Sequence, residues 1–149
     1  MSEGPTRYQS IIDVHIILER GREVLLTERR GTRYFDGMFH LPSGHLEEGE
    51  TLVDGAVREA REEVGVRIEP AALRLVTVVH HRHSADHARV GTFFATDRWA
   101  GEPYNAEPDK CGKLLWCDPS ALPSNTIAYC AAGIRAYLEG APFTASGCW

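Results

Sequence analysis

The chain has 149 residues, a length at which a single core can bury about 68–70% of the unfolded surface, and its 25% charged and 43% hydrophobic content excludes disordered and collagen-like classes. Against 21 Asp and Glu stand 16 Lys and Arg, a formal net charge of -5, which excludes non-specific adhesion to nucleic acid or to an anionic membrane. No apolar run reaches the roughly 20 residues of a spanning helix and MSEGPTRYQS lacks the apolar centre of a secretion signal, so the expectation is one domain over 1–149, cytoplasmic, with Cys111, Cys117, Cys130 and Cys148 as reduced thiols.

The first predicted elements are the apolar, β-branched run SIIDVHIILER and, after Gly21 and Arg22, EVLLTERR, which together read as a hairpin. A polar segment from Gly31 to Gly37 leads to MFHLP, a short strand stopped by Pro42, and then to an acidic loop, SGHLEEGE. Thr51 to Val64 carries helical periodicity, with Val53, Val57, Ala60 and Val64 within about 60° of one another at 100° per residue; Thr51 suits the start and Gly65 the left-handed end. LRLVTVVHHRH and ARVGTFFATDRW form a second hairpin across SADH. AGEPYNAEPDKCG reads as a loop, KLLWCD as a short strand, and Asn125 to Leu138 as a closing helix on Ile127, Cys130, Ala131, Ile134 and Leu138. Hairpins mixed with helices favour an α/β fold with a mixed sheet covered by helices.

On the central helix Glu59, Glu62 and Glu63 span an arc of about 100°, broadly opposite the apolar stripe. Like charges four residues apart cost a helix roughly 0.2–0.5 kcal/mol, so three acids on one face call for a positive partner. Hard oxygen ligands suit Mg²⁺ or Mn²⁺, which can hold substrate phosphates at the same time. The plain alternative is the wet face of an amphipathic helix.

The spacing around these acids decides between the two. Gly44, Glu50, Arg58, Glu59, Ala60, Glu62, Glu63, Gly65 and Val66 match G-x5-E-x7-R-E-U-x-E-E-x-G-U position for position, where U is apolar. This segment resembles the signature of the Nudix hydrolase family. Two departures are Ala60, smaller than the usual bulky aliphatic, and Ser43, where many members carry a second glycine. The resemblance implies a loop-helix-loop catalytic motif in an α/β/α sandwich. It implies Glu59, Glu62 and Glu63 as metal ligands with the Gly44 carbonyl as a further one, Arg58 orienting the carboxylates, and Glu50 supporting the loop. The cofactor implied is Mg²⁺, for which Mn²⁺ can substitute.

Outside the signature, Arg29 stands where several members place a phosphate-contacting Arg, or belongs with Arg30 and Arg33 to a solvated cluster. Glu107, and equally placed Asp109, are loop acids in the region where members take a further ligand or general base. Asn125 resembles a base-contacting Asn of a member that cleanses oxidised guanine nucleotides, and an N-cap explains it as well. His40 and His45 flank the signature and could meet substrate. Strand alternation separates His80 from His81, against a metal cluster with His83 and His87. Trp116, Phe35, Phe39 and Tyr34 are candidate base stackers or core residues.

The function implied is hydrolysis of a nucleoside diphosphate derivative, foremost a (deoxy)nucleoside triphosphate, to a nucleoside monophosphate. The alternatives are a hydrolase of a non-nucleotide diphosphate and a non-catalytic nucleotide sensor. A sensor would lack signature acids, all of which are present. A proline marking the ADP-ribose subgroup is replaced by His80. The expected partner is a small nucleotide or other diphosphate, with no stable nucleic acid, no membrane, and a monomer or homodimer.

Overall fold

The first strand, β1 (Ile11–Arg20), is buried on both faces, and its alternation feeds two cores. Val14, Ile16 and Leu18 point to one side, Ile17 to the other. It belongs to a computed structural model that describes residues 4–149; the first three residues of the expected single unit lie outside them. β1 and β2 (Glu23–Arg29) form the expected hairpin, yet pair only through Glu19 with Val24 and Arg20 with Glu23 before they part.

What fills the gap positions the site. The short β3 (Phe39–His40) takes β1's place beside β2, and β4 (Ser43–His45) takes β2's place beside β1. The two residues between them bridge the split, with Ile16 N–H donating to the Pro42 carbonyl at 2.9 Å and Leu41 N–H directed at the Cys130 Sγ at 3.3 Å. Ser43–His45 was expected as loop; it is strand because the departing β2 leaves β1 with an open edge.

The expected helix appears as α1 (Leu52–Val64), followed by a short 3₁₀ turn at Pro70–Ala72. β5 (Arg74–Arg82) and β6 (Ala88–Thr96) are the expected second hairpin, and β6 lies parallel to β1. β7 (Cys111–Cys117) pairs with β2 on its other edge and begins two residues before KLLWCD. The closing helix is α2 (Ala128–Glu139); Ile127 occupies its N-cap position and no side chain, Asn125 included, caps it. A last strand, β8 (Phe143–Gly147), runs parallel to β5. It was not expected: an edge strand with small residues and exposed positions shows no apolar pattern.

The layers are α1, a mixed sheet in the order β3-β2-β1-β6-β5-β8, and α2, an α/β/α sandwich. Ala56, Ala60 and Val64 of α1 pack on Val14, Ile16 and Leu18. Val53 and Val57, expected in the buried stripe, are only partly covered at its border. Small Ala60 lets α1 lie close to the sheet. Among the described residues no helix is long and apolar enough to cross a membrane.

Candidate active site

Local signals set α1 at a defined angle to β4. Thr51 accepts from Asp54 N–H at 3.1 Å and the Asp54 side chain accepts from Thr51 N–H, a capping box. Gly65 closes the helix at φ 69°, and a side chain there would also strike the Tyr104 ring. Between these ends, Arg58 is the hub of the acids. Its Nε and Nη2 donate to Glu50 at 2.9 and 2.6 Å, its Nη1 to Glu59 at 2.7 Å and Glu62 at 3.2 Å, and its Nη2 to the His45 carbonyl at 3.1 Å. The guanidinium and the Glu47 N–H hold the Glu50 carboxyl down at about 2, so Glu50 ties the loop to the helix.

Glu59 and Glu63 turn toward β4. The Glu59 carboxylate lies against the Gly44 backbone so closely that a methyl on Gly44 would collide with it; glycine is required by close approach, not by its φ. Glu63 Oε2 accepts from Ser43 N–H at 2.9 Å, so Ser43, unusual in side chain at this position, serves through its backbone. Burial raises the pKa of Glu59 against the pull of Arg58. It raises Glu63 further, with Glu59 as the next cause and only the Ser43 N–H and Arg29 opposing. The expected common solvent face is therefore corrected. Glu59 is buried, Glu63 is half-buried, and Glu62 alone stands out in water, its side chain 48% exposed. The apolar stripe runs closer to Glu59 than periodicity placed it, because Ala56 and Gly55 are buried too.

The loop before β7 completes the site by capping α1. Tyr104 N–H donates to the Val64 carbonyl and Ala106 N–H to that of Glu63, both at 3.1 Å, and Asn105 ties the loop to Cys111 at 2.7 Å. Glu107 is thereby held beside Glu63, paired with Lys110 at 3.7 Å. A cavity of about 100 Å³ is lined by Glu63, Glu107, Arg29, His40, Lys110 and Cys111, with Thr27 and Thr32. Arg29 thus joins the acids rather than a solvated cluster; its Nε also donates to the Tyr34 carbonyl at 3.1 Å. Asp109 is exposed and does not line this cavity. Asn125 donates from Nδ2 to the Gly37 carbonyl at 2.9 Å, so it fastens the Gly31–Gly37 segment and is no N-cap. Phe39 is core, Trp116 stacks on Trp99 beneath Arg20, and Tyr34 and Phe35 are exposed. Asn105, Lys110 and the cavity's threonines carry no signal in sequence, since the loop's docking on α1 brings them in.

A larger cavity of about 400 Å³ lies at the β1–β2 turn, lined by Glu19, Glu23, Asp118 and Tyr137 among others, and contains none of the signature residues. Its acidity unfits it for a polyanion. Among the described residues no three His, Cys, Asp or Glu side chains converge in a ready-made metal centre; Glu59 and Glu63 converge as a pair over β4.

Comparison with known proteins gives the family. Residues 9–136 match the family model described as NUDIX domain. The chain is 32% identical over 96 residues to the 8-oxo-dGTP diphosphatase of Escherichia coli K12, covering 64% of this chain and 72% of that enzyme. It is also 32% identical over 108 residues to the NAD-capped RNA hydrolase NudC of Chromobacterium violaceum, spanning 72% of this chain but 38% of that protein's length. The crystal structure of a MutT NUDIX hydrolase from Burkholderia pseudomallei superposes with a TM-score of 0.78 at 25% identity, over 86% of this chain and 98% of that one. A fold, a complete acid signature and relatives of this kind make the chain a member of the Nudix hydrolase family, whose enzymes split pyrophosphate linkages.

Proposed function

We propose that this chain hydrolyses a (deoxy)nucleoside triphosphate at its inner pyrophosphate linkage, with Mg²⁺ as cofactor and Mn²⁺ able to replace it, releasing a nucleoside monophosphate and pyrophosphate. The observation that carries the reading is the convergence of Glu59 and Glu63 on the Ser43–Gly44 backbone, a buried and a half-buried carboxylate whose pKa values are both raised first by burial, Glu63 further by Glu59, while Arg58 compensates only Glu59. The donor set fits the cofactor: it is all hard oxygen, it carries uncompensated negative charge, and its helical mounting is rigid. Glu59, Glu63, the Gly44 carbonyl and, from the rim, Glu62 would hold the ion. When bound, the ion supplies charge neutralisation on the phosphate oxygens and an acidified water.

The chain's own residues do the rest. Arg58 orients Glu59 and Glu62 without approaching the cavity that Arg29 and Lys110 line. These two cations suit phosphate oxygens, Arg29 by its forked donors. Glu107, half-buried and lining the same cavity as Glu63, would take the proton of an attacking water. The cavity is too small for a nucleoside, whose usual site exceeds about 300 Å³, so it suits phosphate and leaves base and sugar outside. The name of the E. coli relative, an 8-oxo-dGTP diphosphatase, favours a triphosphate. The test is a panel of nucleoside triphosphates, 8-oxo-dGTP, ADP-ribose and an NAD-capped oligoribonucleotide with Mg²⁺, with products identified. Fastest turnover of a triphosphate with release of pyrophosphate is expected. Preference for ADP-ribose or the capped RNA, or release of orthophosphate alone, overturns the substrate assignment.

A further inference from the structure

Among the described residues Phe35 is the only one other than glycine with a positive φ, 58°, in the left-handed region that a bulky side chain enters at a cost. It does so with 44% of its surface exposed, so burial of the ring does not offset the cost. The hydrogen bonds around it impose the conformation. Arg29 Nε and Thr32 Oγ1 both donate to the Tyr34 carbonyl, at 3.1 and 2.9 Å, and Met38 N–H donates to that of Phe35 at 3.1 Å. Gly37 N–H returns to the Arg29 carbonyl at 2.7 Å, while Asn125 holds the Gly37 carbonyl. Backbone strain over-determined in this way is kept where a side chain has to be aimed.

Arg29 and Thr32, which hold the peptide before Phe35, also line the phosphate cavity. Standard peptide dimensions put the Phe35 Cα within about 6 Å of the Arg29 Nε. From there the ring reaches across the end of the sheet. Its centroid is 6.1 Å from that of His83, at 81°, in the turn between β5 and β6. Because β2 runs antiparallel to β1 and β6 parallel to it, the 31–37 loop and this turn sit at the same end, with β4 and the start of β1 between them. The T-shaped contact steadies the ring and still leaves it open to solvent. Tyr34 is more exposed but has Arg33 over its ring at 5.4 Å, so Phe35 is the free aromatic face joined to the cavity wall.

The cavity has room for phosphate and none for a nucleoside, so the base of a bound nucleotide lies beyond its wall. We propose that this base stacks on Phe35, whose ring is aimed by the strained loop and steadied by His83, so that the enzyme selects purine nucleoside triphosphates over pyrimidine ones. The stack rests on the triphosphate reading above and adds the base to it. Phe35 acts in binding and orienting the nucleoside; the acids of α1 remain the reacting centre. Stacking of one base on one aromatic side chain changes affinity by about 5- to 150-fold, and the larger π-face of a purine gains more of it.

The experiment compares wild type with Phe35→Asn and Phe35→Trp. It measures calorimetric binding of α,β-methylene-dGTP, α,β-methylene-dCTP and inorganic tripolyphosphate with Mg²⁺, kcat and KM for dGTP, and thermal melting. Asn tolerates the left-handed region, so Phe35→Asn removes the ring and relieves the strain together. For that variant a rise of about tenfold or more is expected in Kd for the dGTP analogue and in KM for dGTP, with a smaller change in kcat. Its Kd for tripolyphosphate, which has no base, should stay within about twofold of wild type, and its melting temperature should be equal or higher, which a merely structural role would not give. Phe35→Trp should keep the affinity, and the fluorescence it adds to that of the three native tryptophans should be quenched by the dGTP analogue. If Phe35→Asn binds that analogue like wild type, loses tripolyphosphate to the same extent or melts lower, or if wild type binds the dCTP analogue as tightly as the dGTP one, the stack is overturned while the triphosphate reading survives. If wild type neither binds an analogue nor cleaves any triphosphate, both fall.

Discussion

Arg58 divides the glutamates of the signature into two kinds. Glu50 receives two of its hydrogen bonds and is held at about 2, a permanently charged strut. Glu63 receives none, and burial beside Glu59 pushes its carboxyl well above the ordinary range. Replacing Glu63 with Gln keeps an oxygen for the Ser43 N–H and removes a charge that the apo protein holds at a cost. Glu63→Gln should therefore lower kcat by about 100-fold or more, the equivalent of several kcal/mol of metal-dependent stabilisation. In metal-free buffer it should leave the melting temperature equal or raised, whereas the increase that Mg²⁺ gives the wild type should vanish. Kinetics and thermal melts with and without Mg²⁺ check both halves; wild-type turnover, or an undiminished Mg²⁺ shift, would remove Glu63 from the site.

Elements with their own terminal signals were legible and elements formed by vacancy were not. α1 carries Thr51, Gly65 and a recurrent apolar spacing, and β5 and β6 carry long alternating runs, so both lie where the residues indicate. β4 is three residues around a glycine and exists because β1 leaves β2; β8 is an exposed edge whose partner is more than sixty positions earlier. The same distinction holds for the site. The acids were readable because one helix supplies three of them at fixed spacing, but their burial was not, since it depends on how closely Gly44 lets β4 approach. Asn125 and Lys110 take their roles from segments that meet only in the folded chain. Packing of α2 shows the same dependence on a missing side chain. Gly133 faces Phe93 so closely that a methyl would enter the ring, and His15 stacks parallel to the same ring at 4.1 Å. Gly133→Ala gains up to about 1 kcal/mol in helix propensity, yet overpacking a core that cannot yield costs about 1–3 kcal/mol. Net destabilisation is expected as a lower urea midpoint; an unchanged or higher midpoint would mean that α2 lifts from the sheet without loss.

Across the whole molecule, the two cores meet at a sheet whose interior includes histidines held neutral. His15 is buried with neither ring nitrogen bonded, and burial, then His40 and Arg89, lowers its pKa to about 3. His40 is lowered to about 3 by burial and then by Arg29. In the unfolded chain each titrates near the ordinary value of about 6.5. Between pH 6.5 and 3 the unfolded state therefore binds protons that the native state refuses, so stability falls as pH drops through 6.5 and the loss ends near 3. Each histidine contributes a loss of about 2 kcal/mol between pH 7 and 5, by the linkage slope of 1.36 kcal/mol per unit. Phenylalanine at position 15 would preserve the ring stacked on Phe93 without the two unsatisfied nitrogens. His15→Phe should thus gain on the wild type as the solution is acidified, by about 2 kcal/mol more at pH 5 than at pH 7, read from urea midpoints at the two pH values. Curves that stay parallel would show that His15 takes up its proton in the folded protein, and that the sheet between α1 and α2 opens to water at its centre.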